Sequence, residues 1–219
     1  MSRNGQGALD LSADKARALK LTPVSRETQN RLELYVGLLL QWQQKTNLIA
    51  PSTIPTIWTR HVADSLQLLD LAPDAKVWVD FGSGGGFPAI PIACALAGRP
   101  DAMVHLIESN GKKAAFLREA IRVTGAPAQV HPERVEKYTE GSVNSVDVVS
   151  ARALAPLKVL CDQASSLIEQ GAIGLFPKGL GVVAELTEAA KYWNIEATTV
   201  ASKTSPEGCI VIVRGLKPL

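Results

Sequence analysis

The chain has 219 residues, of which 46% are hydrophobic and 20% charged, with three cysteines. This composition excludes a disordered chain, a collagen-like chain and a coiled-coil rod, and at this length folding buries roughly 70% of the unfolded surface, enough for a core without disulfides. A formal net charge of +2 and 5% aromatics exclude a histone-like basic field and an extended aromatic platform for bases, so any RNA contact has to come from a local patch.

The opening segment, MSRNGQGALD, lacks the apolar core of a signal peptide, and residues 1–8 read as a frayed tail. No apolar run approaches the roughly 18 residues of a membrane span, so a soluble, cytoplasmic protein is expected. From Leu9 to about Leu71 the pattern is helical. Leu32, Tyr35, Val36, Leu39 and Trp42 recur at spacings of three and four and form one stripe. Asn47 and Pro51-Ser52 interrupt it. A second stripe runs through Ile54, Ile57, Trp58, His61, Val62, Ser65, Leu66 and Leu69, with Pro55 suited to a first helical turn. Spacing alone makes His61 a packed histidine and lets Asp64 pair with Arg60 one turn earlier.

At Pro73-Asp74 short apolar runs begin to alternate with helical segments, which divides the chain into a helical lead-in, 1–73, and a second unit, 74–219. The pattern predicts strands at Val77–Phe81, Met103–Glu108, Ala128–His131, Val146–Ser150 and Ile173–Phe176. Helices are predicted at about 88–98, 111–124, 133–139, 155–169 and 180–191. Such alternation belongs to an α/β fold with a mostly parallel sheet covered on both faces. Glu196–Ala201 and Cys209–Arg214 are too closely spaced for a crossover and predict an antiparallel hairpin. Cys94, Cys161 and Cys209 are scattered, and the histidines have no ligand spacing, so no metal site is expected.

The segment Val77-Trp78-Val79-Asp80-Phe81-Gly82-Ser83-Gly84-Gly85-Gly86-Phe87-Pro88 ends a strand in a glycine-rich turn. Glycines let a ligand approach the backbone, and the carboxyl end of a parallel strand is where open sheets bind ligands. No Gly-Lys-Ser/Thr follows, so this is no P-loop. The sixth position from Gly82 is Phe87, so the dinucleotide fingerprint fails as well. Asp80 would repel a pyrophosphate and attract a cationic ligand with a sulfonium and an ammonium group, which S-adenosylmethionine carries. Glu108, ending the second strand, is placed to accept both hydroxyls of an adenosine ribose. A nicotinamide-dependent dehydrogenase or a nucleotide-binding module fits Asp80 and Phe87 less well.

The same residues resemble a known family, the RsmG (GidB) ribosomal RNA methyltransferases of bacteria. The resemblance runs from about Leu32 to Gly179. It is carried by Thr46-Asn47-Leu48, Arg60-His61-Val62-Ala63-Asp64-Ser65-Leu66, the glycine turn through Pro88, Glu108-Ser109-Asn110-Gly111-Lys112-Lys113 with Phe116-Leu117, Arg134-Val135-Glu136, Ser150-Ala151-Arg152-Ala153 and Lys178-Gly179. It implies the class I S-adenosylmethionine-dependent methyltransferase fold, Rossmann-like, with a seven-stranded mostly parallel sheet and a C-terminal antiparallel hairpin. It further implies methyl transfer to N7 of one guanosine in small-subunit (16S) ribosomal RNA. A methyltransferase of another RNA or of a small molecule on the same fold is the alternative, favoured if the lead-in helices seal a small acceptor pocket.

By resemblance, Gly82, Phe87, Val135, Glu136 and Arg152 hold the methyl donor, beside Asp80, Gly84, Gly86 and Glu108. Val135 would lie against the adenine, with a backbone N–H to a ring nitrogen. Arg60, His61, Lys112, Lys113 and Lys178 are the candidate RNA contacts. Two departures stand out: Glu108 replaces the family's usual Asp, and Pro177 precedes Lys178-Gly179 where Leu is usual. N7 carries a lone pair and no proton, so no general base and no catalytic side chain in that sense is expected; the work is positioning. The small subunit or its RNA is the expected partner, and a monomer the expected state.

Overall fold

The computed structural model describes residues 10–141 and 145–219. The expected frayed tail, 1–8, lies outside the described residues. Two helices open the described chain, α1 (Ser12–Leu21) and α2 (Arg26–Gln43). Ser25 caps α2, its side chain accepting from the Thr28 N–H at 3.2 Å. Leu32, Tyr35, Val36 and Leu39 of the expected stripe are all buried. The second stripe also faces inward, but its backbone is not one helix. It runs as a 3-10 turn (Pro51–Thr56), a π-helical turn (Trp58–Ala63), the short α3 (Asp64–Leu66) and a second 3-10 turn (Gln67–Leu71). The stripe survives in part: Ile57, Trp58, His61, Val62, Ser65 and Leu66 are buried, Ile54 and Leu69 are half-buried, and Leu68, outside the expected stripe, is buried as well.

The rest alternates strand and helix: β1 (Val77–Phe81), α4 (Ala89–Leu96), β2 (Met103–Ile107), α5 (Gly111–Thr124), β3 (Ala128–His131), α6 (Val135–Glu140), β4 (Val148–Ala151), α7 (Leu157–Glu169), β5 (Ile173–Lys178), α8 (Val182–Ala189), β6 (Trp193–Ala201) and β7 (Cys209–Pro218). The sheet order is β3-β2-β1-β4-β5-β7-β6. The first five strands are parallel, and β7 joins β5 and β6 antiparallel. β4 begins two residues later than the spacing predicts, because the Asp147 carboxylate turns to cap β1, accepting from the Lys76 and Val77 N–H groups at 2.8 Å each. The hairpin is longer than expected: β6 starts at Trp193, three residues before Glu196, and β7 runs to Pro218, four residues beyond Arg214.

In β1 every residue from Trp78 to Phe81 is buried, so the strand is covered on both faces. Trp78 packs with α2, the 57–68 segment, α4 and α5, whereas Val79 and Phe81 pack with α6, α7 and α8. The lead-in therefore shares the core of one sheet face. It also grips the hairpin tip: Gln67 Oε1 accepts from the Lys203 N–H at 2.8 Å, and Asp64 Oδ1 from the Thr204 hydroxyl at 2.7 Å. Pro177 is accommodated because it lies beyond Leu175, the last residue of β5 paired with β4. Cys94 and Cys161 are buried and free, and burial pushes both thiols up to about 12, so neither is a thiolate at neutral pH.

Candidate active site

The glycine turn follows β1 at the carboxyl edge of the parallel strands. Gly82, Gly84 and Gly86 all have positive φ, at +64°, +55° and +90°. The turn is braced from three sides. Tyr35 of α2 donates its hydroxyl to the Gly85 carbonyl, and the Leu48 carbonyl presses so close that a Cβ at Gly85 would stand 2.8 Å from it. Glu108, just past β2, is buried; its Oε2 accepts from the Gly84 N–H at 2.9 Å and its Oε1 from the Asn110 N–H at 2.7 Å. A carboxylate has about four lone-pair sites, so two remain for a pair of hydroxyls. Asn110 also caps α5, accepting from the Lys112 and Lys113 N–H groups.

Two cavities lie at this edge of the sheet, one of them against the turn. A cleft of about 310 Å³ is lined by Gly82, Gly84, Glu108, Lys113, Val135 and Glu136 among others. A basin of about 590 Å³ lies between the loop after β4, the end of β5, the lead-in and the hairpin tip, with Arg60, Asp64, Arg152, Lys178, Glu185 and Glu207 in its walls. Asp80 sits behind the turn, fully buried. Its Oδ1 accepts from the Ser150 hydroxyl at 2.8 Å, while Oδ2 has no partner. An unpartnered buried carboxylate oxygen is costly unless a donor reaches it, so the site suits a cationic ligand.

Residues 28–209 match the family described as GidB, rRNA small subunit methyltransferase G. The chain belongs to this family. It is 62% identical over 203 residues to the ribosomal RNA small subunit methyltransferase G of Bradyrhizobium sp. (strain BTAi1), covering 93% of this chain and 91% of that one. The protein of the same name from Nitrobacter hamburgensis is 59% identical over 212 residues, covering 96% and 82%. In fold the chain is similar to an O-methyltransferase of Bacillus cereus solved in complex with SAH, with TM-score 0.59 and 13% identity over 94% of this chain and 98% of that one. It is thus an S-adenosylmethionine-dependent methyltransferase of the class I fold. The cleft, with its spare Glu108 lone pairs, fits that donor; the orphaned Asp80 oxygen is buried behind the turn, outside the cleft's lining. When bound, the donor supplies a methyl group activated by the sulfonium.

Among the expected GidB site residues, Gly82, Gly84, Glu108, Val135 and Glu136 come together in the cleft. The Glu136 carboxylate accepts from the Gln163 amide at 2.7 Å, so its side chain is already engaged. Asp80, Gly86, Phe87 and Arg152 do not line the cleft: Asp80 is buried behind the turn, and Gly86 faces Ile90, Tyr35 and Leu117. The Phe87 ring is 4% exposed and packs into the core, 4.8 Å from the His61 ring and 5.2 Å from the Tyr35 ring, so it shapes the turn from beneath. Arg152 lines the basin instead of the cleft. Its guanidinium lies over Phe87 at 5.3 Å, donates to His61 Nδ1 at 2.7 Å and faces Asp64 Oδ2 at 3.7 Å.

Two candidate RNA contacts need correction. His61 is 7% exposed, and both ring nitrogens are taken: an arginine can only donate, so Nδ1 accepts, and the Nε2–H is left for the Thr53 hydroxyl at 2.8 Å. Burial, with Arg152 and Arg60, lowers its pKa to about 3, so the ring is neutral. Lys178 gives its ammonium to the Glu185 carboxylate at 2.7 Å and the Ala155 carbonyl at 2.9 Å, a tie between β5, α8 and the loop after β4. Arg60 is exposed at the basin, Lys113 lines the cleft and Lys112 is exposed beside it. Asp64 does not pair with Arg60; it links Arg152, Gln67 and Thr204. Sequence reasoning also missed Tyr35, read only as an apolar stripe residue, and the hairpin tip, which no local pattern places at a site.

Burial pushes the Asp80 carboxyl up to about 7, outweighing the nearby hydroxyls and Arg152. The folded protein therefore holds this proton more tightly than the unfolded chain does. The resulting stability is full below about 3.8 and is lost as pH rises to about 7. Asp80→Asn should flatten that pH dependence in thermal unfolding and leave the protein at pH 8 at least as stable as the parent. Affinity for S-adenosylhomocysteine, which keeps the ammonium, should fall by up to about tenfold per pH unit below 7 in the parent, and D80N should weaken it about 10–100-fold at pH 8. Calorimetric titration across pH 5.5–8 checks both; a parent affinity independent of pH would remove Asp80 from the donor site.

Proposed function

We propose that the enzyme transfers a methyl group from S-adenosylmethionine to N7 of a guanosine in small-subunit (16S) ribosomal RNA, acting as a cytoplasmic monomer on the RNA or the subunit. The family match over residues 28–209 carries this reading. The geometry supports it in a specific way. The acceptor basin adjoins the donor cleft, and none of the residues lining it comes from α1 or α2. The lead-in contributes Arg60, Asp64 and Gln67 to one wall of the basin, while α2 packs beside the sheet and braces the turn through Tyr35.

N7 attacks with its own lone pair, so no side chain has to remove a proton. The protein's task is to hold the guanine against the cleft at a near-attack distance of roughly 3–3.5 Å. Transfer moves positive charge onto the base. Asp64 in the basin wall is already paired with Arg152, so these two charges offset one another there. Arg60 is the exposed cation at the basin for backbone phosphate, with Lys112 and Lys113 beside the cleft. Radiolabelled donor supplied in parallel to intact small subunits, naked ribosomal RNA and tRNA should label a single guanosine of the small-subunit RNA at N7. Label confined to tRNA, or absent from ribosomal RNA, would sink the reading.

A further inference from the structure

The cleft and the basin meet at one place. Of the residues lining them, only Ala153 and Leu154 belong to both walls. The Leu154 side chain lies on Gly82: a Cβ built there would stand 2.5 Å from Leu154 Cδ1. On the proposed reading, that glycine is the backbone surface the donor touches. Leu154 is 40% exposed and joins neither hydrophobic core, so packing of the fold does not account for its position. The segment is tied at both ends. Arg152 is held by His61 and Asp64, and the Ala155 carbonyl accepts from Lys178. Between these anchors Ala153 has φ +53°, a left-handed conformation that a residue with a Cβ adopts only under constraint. A strained backbone step thus carries an exposed apolar side chain across the only shared wall of the two cavities among the described residues.

We propose that Leu154 is a positioning residue for methyl transfer: its side chain closes the passage between cleft and basin, leaves Gly82 when the donor occupies the turn, and then forms the apolar wall against which the acceptor base is set. This rests on the reading of the basin as the acceptor site. The chemistry requires such a movement. In direct transfer the sulfur–carbon bond breaks as the carbon–N7 bond forms, and the electron pair of the broken bond stays on sulfur. The base must therefore come within roughly 3–3.5 Å of the methyl carbon, a gap that admits no leucine side chain. Leu154 has to stand beside the path when transfer occurs, and the shared wall is where that path runs.

Leu154→Ala separates the two roles, with Leu154→Met as the conservative control. Removing the side chain that covers Gly82 should tighten S-adenosylhomocysteine binding about threefold to tenfold by calorimetry. Removing the wall should lower kcat on small subunits at least about tenfold. L154M should stay within about threefold of the parent in both. Weaker binding, tighter binding with unchanged kcat, or no change in either for L154A would each overturn the proposal. Ser205→Trp, at the hairpin side of the basin, tests the underlying reading separately. Filling the basin should abolish transfer while S-adenosylhomocysteine still binds. Transfer surviving in S205W would place the acceptor elsewhere, and the L154A effect on S-adenosylhomocysteine binding would still be read on its own.

Discussion

Alanine at position 86 should cost about 2–5 kcal/mol of folding stability, combining an unfavourable left-handed backbone with overpacking. Gly86 has φ +90°, and a Cβ there would stand 2.8 Å from both Ile90 Cγ1 and the Tyr35 hydroxyl, and 3.2 Å from Leu117 Cδ2. Tyr35 cannot retreat freely, because it is buried and its hydroxyl is bonded to the Gly85 carbonyl. Any relief of the clash therefore breaks the brace of the turn as well. For a chain of this length the loss corresponds to a melting temperature lower by roughly 5–15 °C. Donor affinity should fall with it, since the turn is what the cleft is built on. Gly98→Ala is the control: that glycine has no positive φ, and nothing lies within 4 Å of its added Cβ. Thermal unfolding of the two variants side by side checks the claim; equal melting temperatures would refute it.

Arg152→Ala should reduce methyl transfer about 100-fold or more and cost about 2–3 kcal/mol of stability, less than a fully buried pair because its partners keep some solvent. Arg152 joins four elements at once: it begins the loop after β4, covers Phe87 below the turn, and holds His61 and Asp64 of the lead-in. Asp64 in turn holds Thr204 of the hairpin tip. Truncation leaves the His61 Nδ1 acceptor and one face of the Asp64 carboxylate without their cation. It also frees the loop that carries Leu154. Arg152→Lys should recover only part of the loss, since one ammonium cannot serve His61 and Asp64 while lying flat on Phe87.

His61 supplies a direct readout of this arrangement. Its pKa is lowered to about 3 by burial first and by Arg152 and Arg60 next, so the R152A variant should move its titration back toward the ordinary 6.5. A histidine depressed in this way stabilises the fold above about 6.5, and that contribution is lost as pH falls toward about 3. R152A should accordingly show a shallower acid loss from His61. An NMR titration of the histidine ring follows the change, and a His61 titration unmoved by R152A would show that the guanidinium does not control this ring.

Much of the fold was legible in the order of residues. Strand and helix alternation after Pro73, the buried β1 run and the short spacing of the last two strands follow from local periodicity and from the geometry of parallel crossovers. The glycine turn was legible too, because glycines after a strand with Glu108 near it are local signals, and Gly82, Gly84 and Glu108 do line one cleft. The lining of the basin was not. Asp64 read as a partner for Arg60 one turn away, yet it reaches Arg152 and Thr204, which are far off in the chain. Tyr35 read as stripe, yet its hydroxyl braces Gly85. Lys178 read as a free cation, yet Glu185 neutralises it.

The sequence by itself determined the strands and most of the helices, the sheet they form and the position of the glycine turn, because each depends on residues within one or two elements. Only the tertiary structure decided which charges are spent on one another, that His61 is a neutral strut and Arg152 its anchor, and that Leu154 stands between cleft and basin. Those are relations between the lead-in, the loop after β4 and the hairpin. They arise when the sheet brings distant segments to one edge, and a periodicity within a segment carries no record of what will face it there.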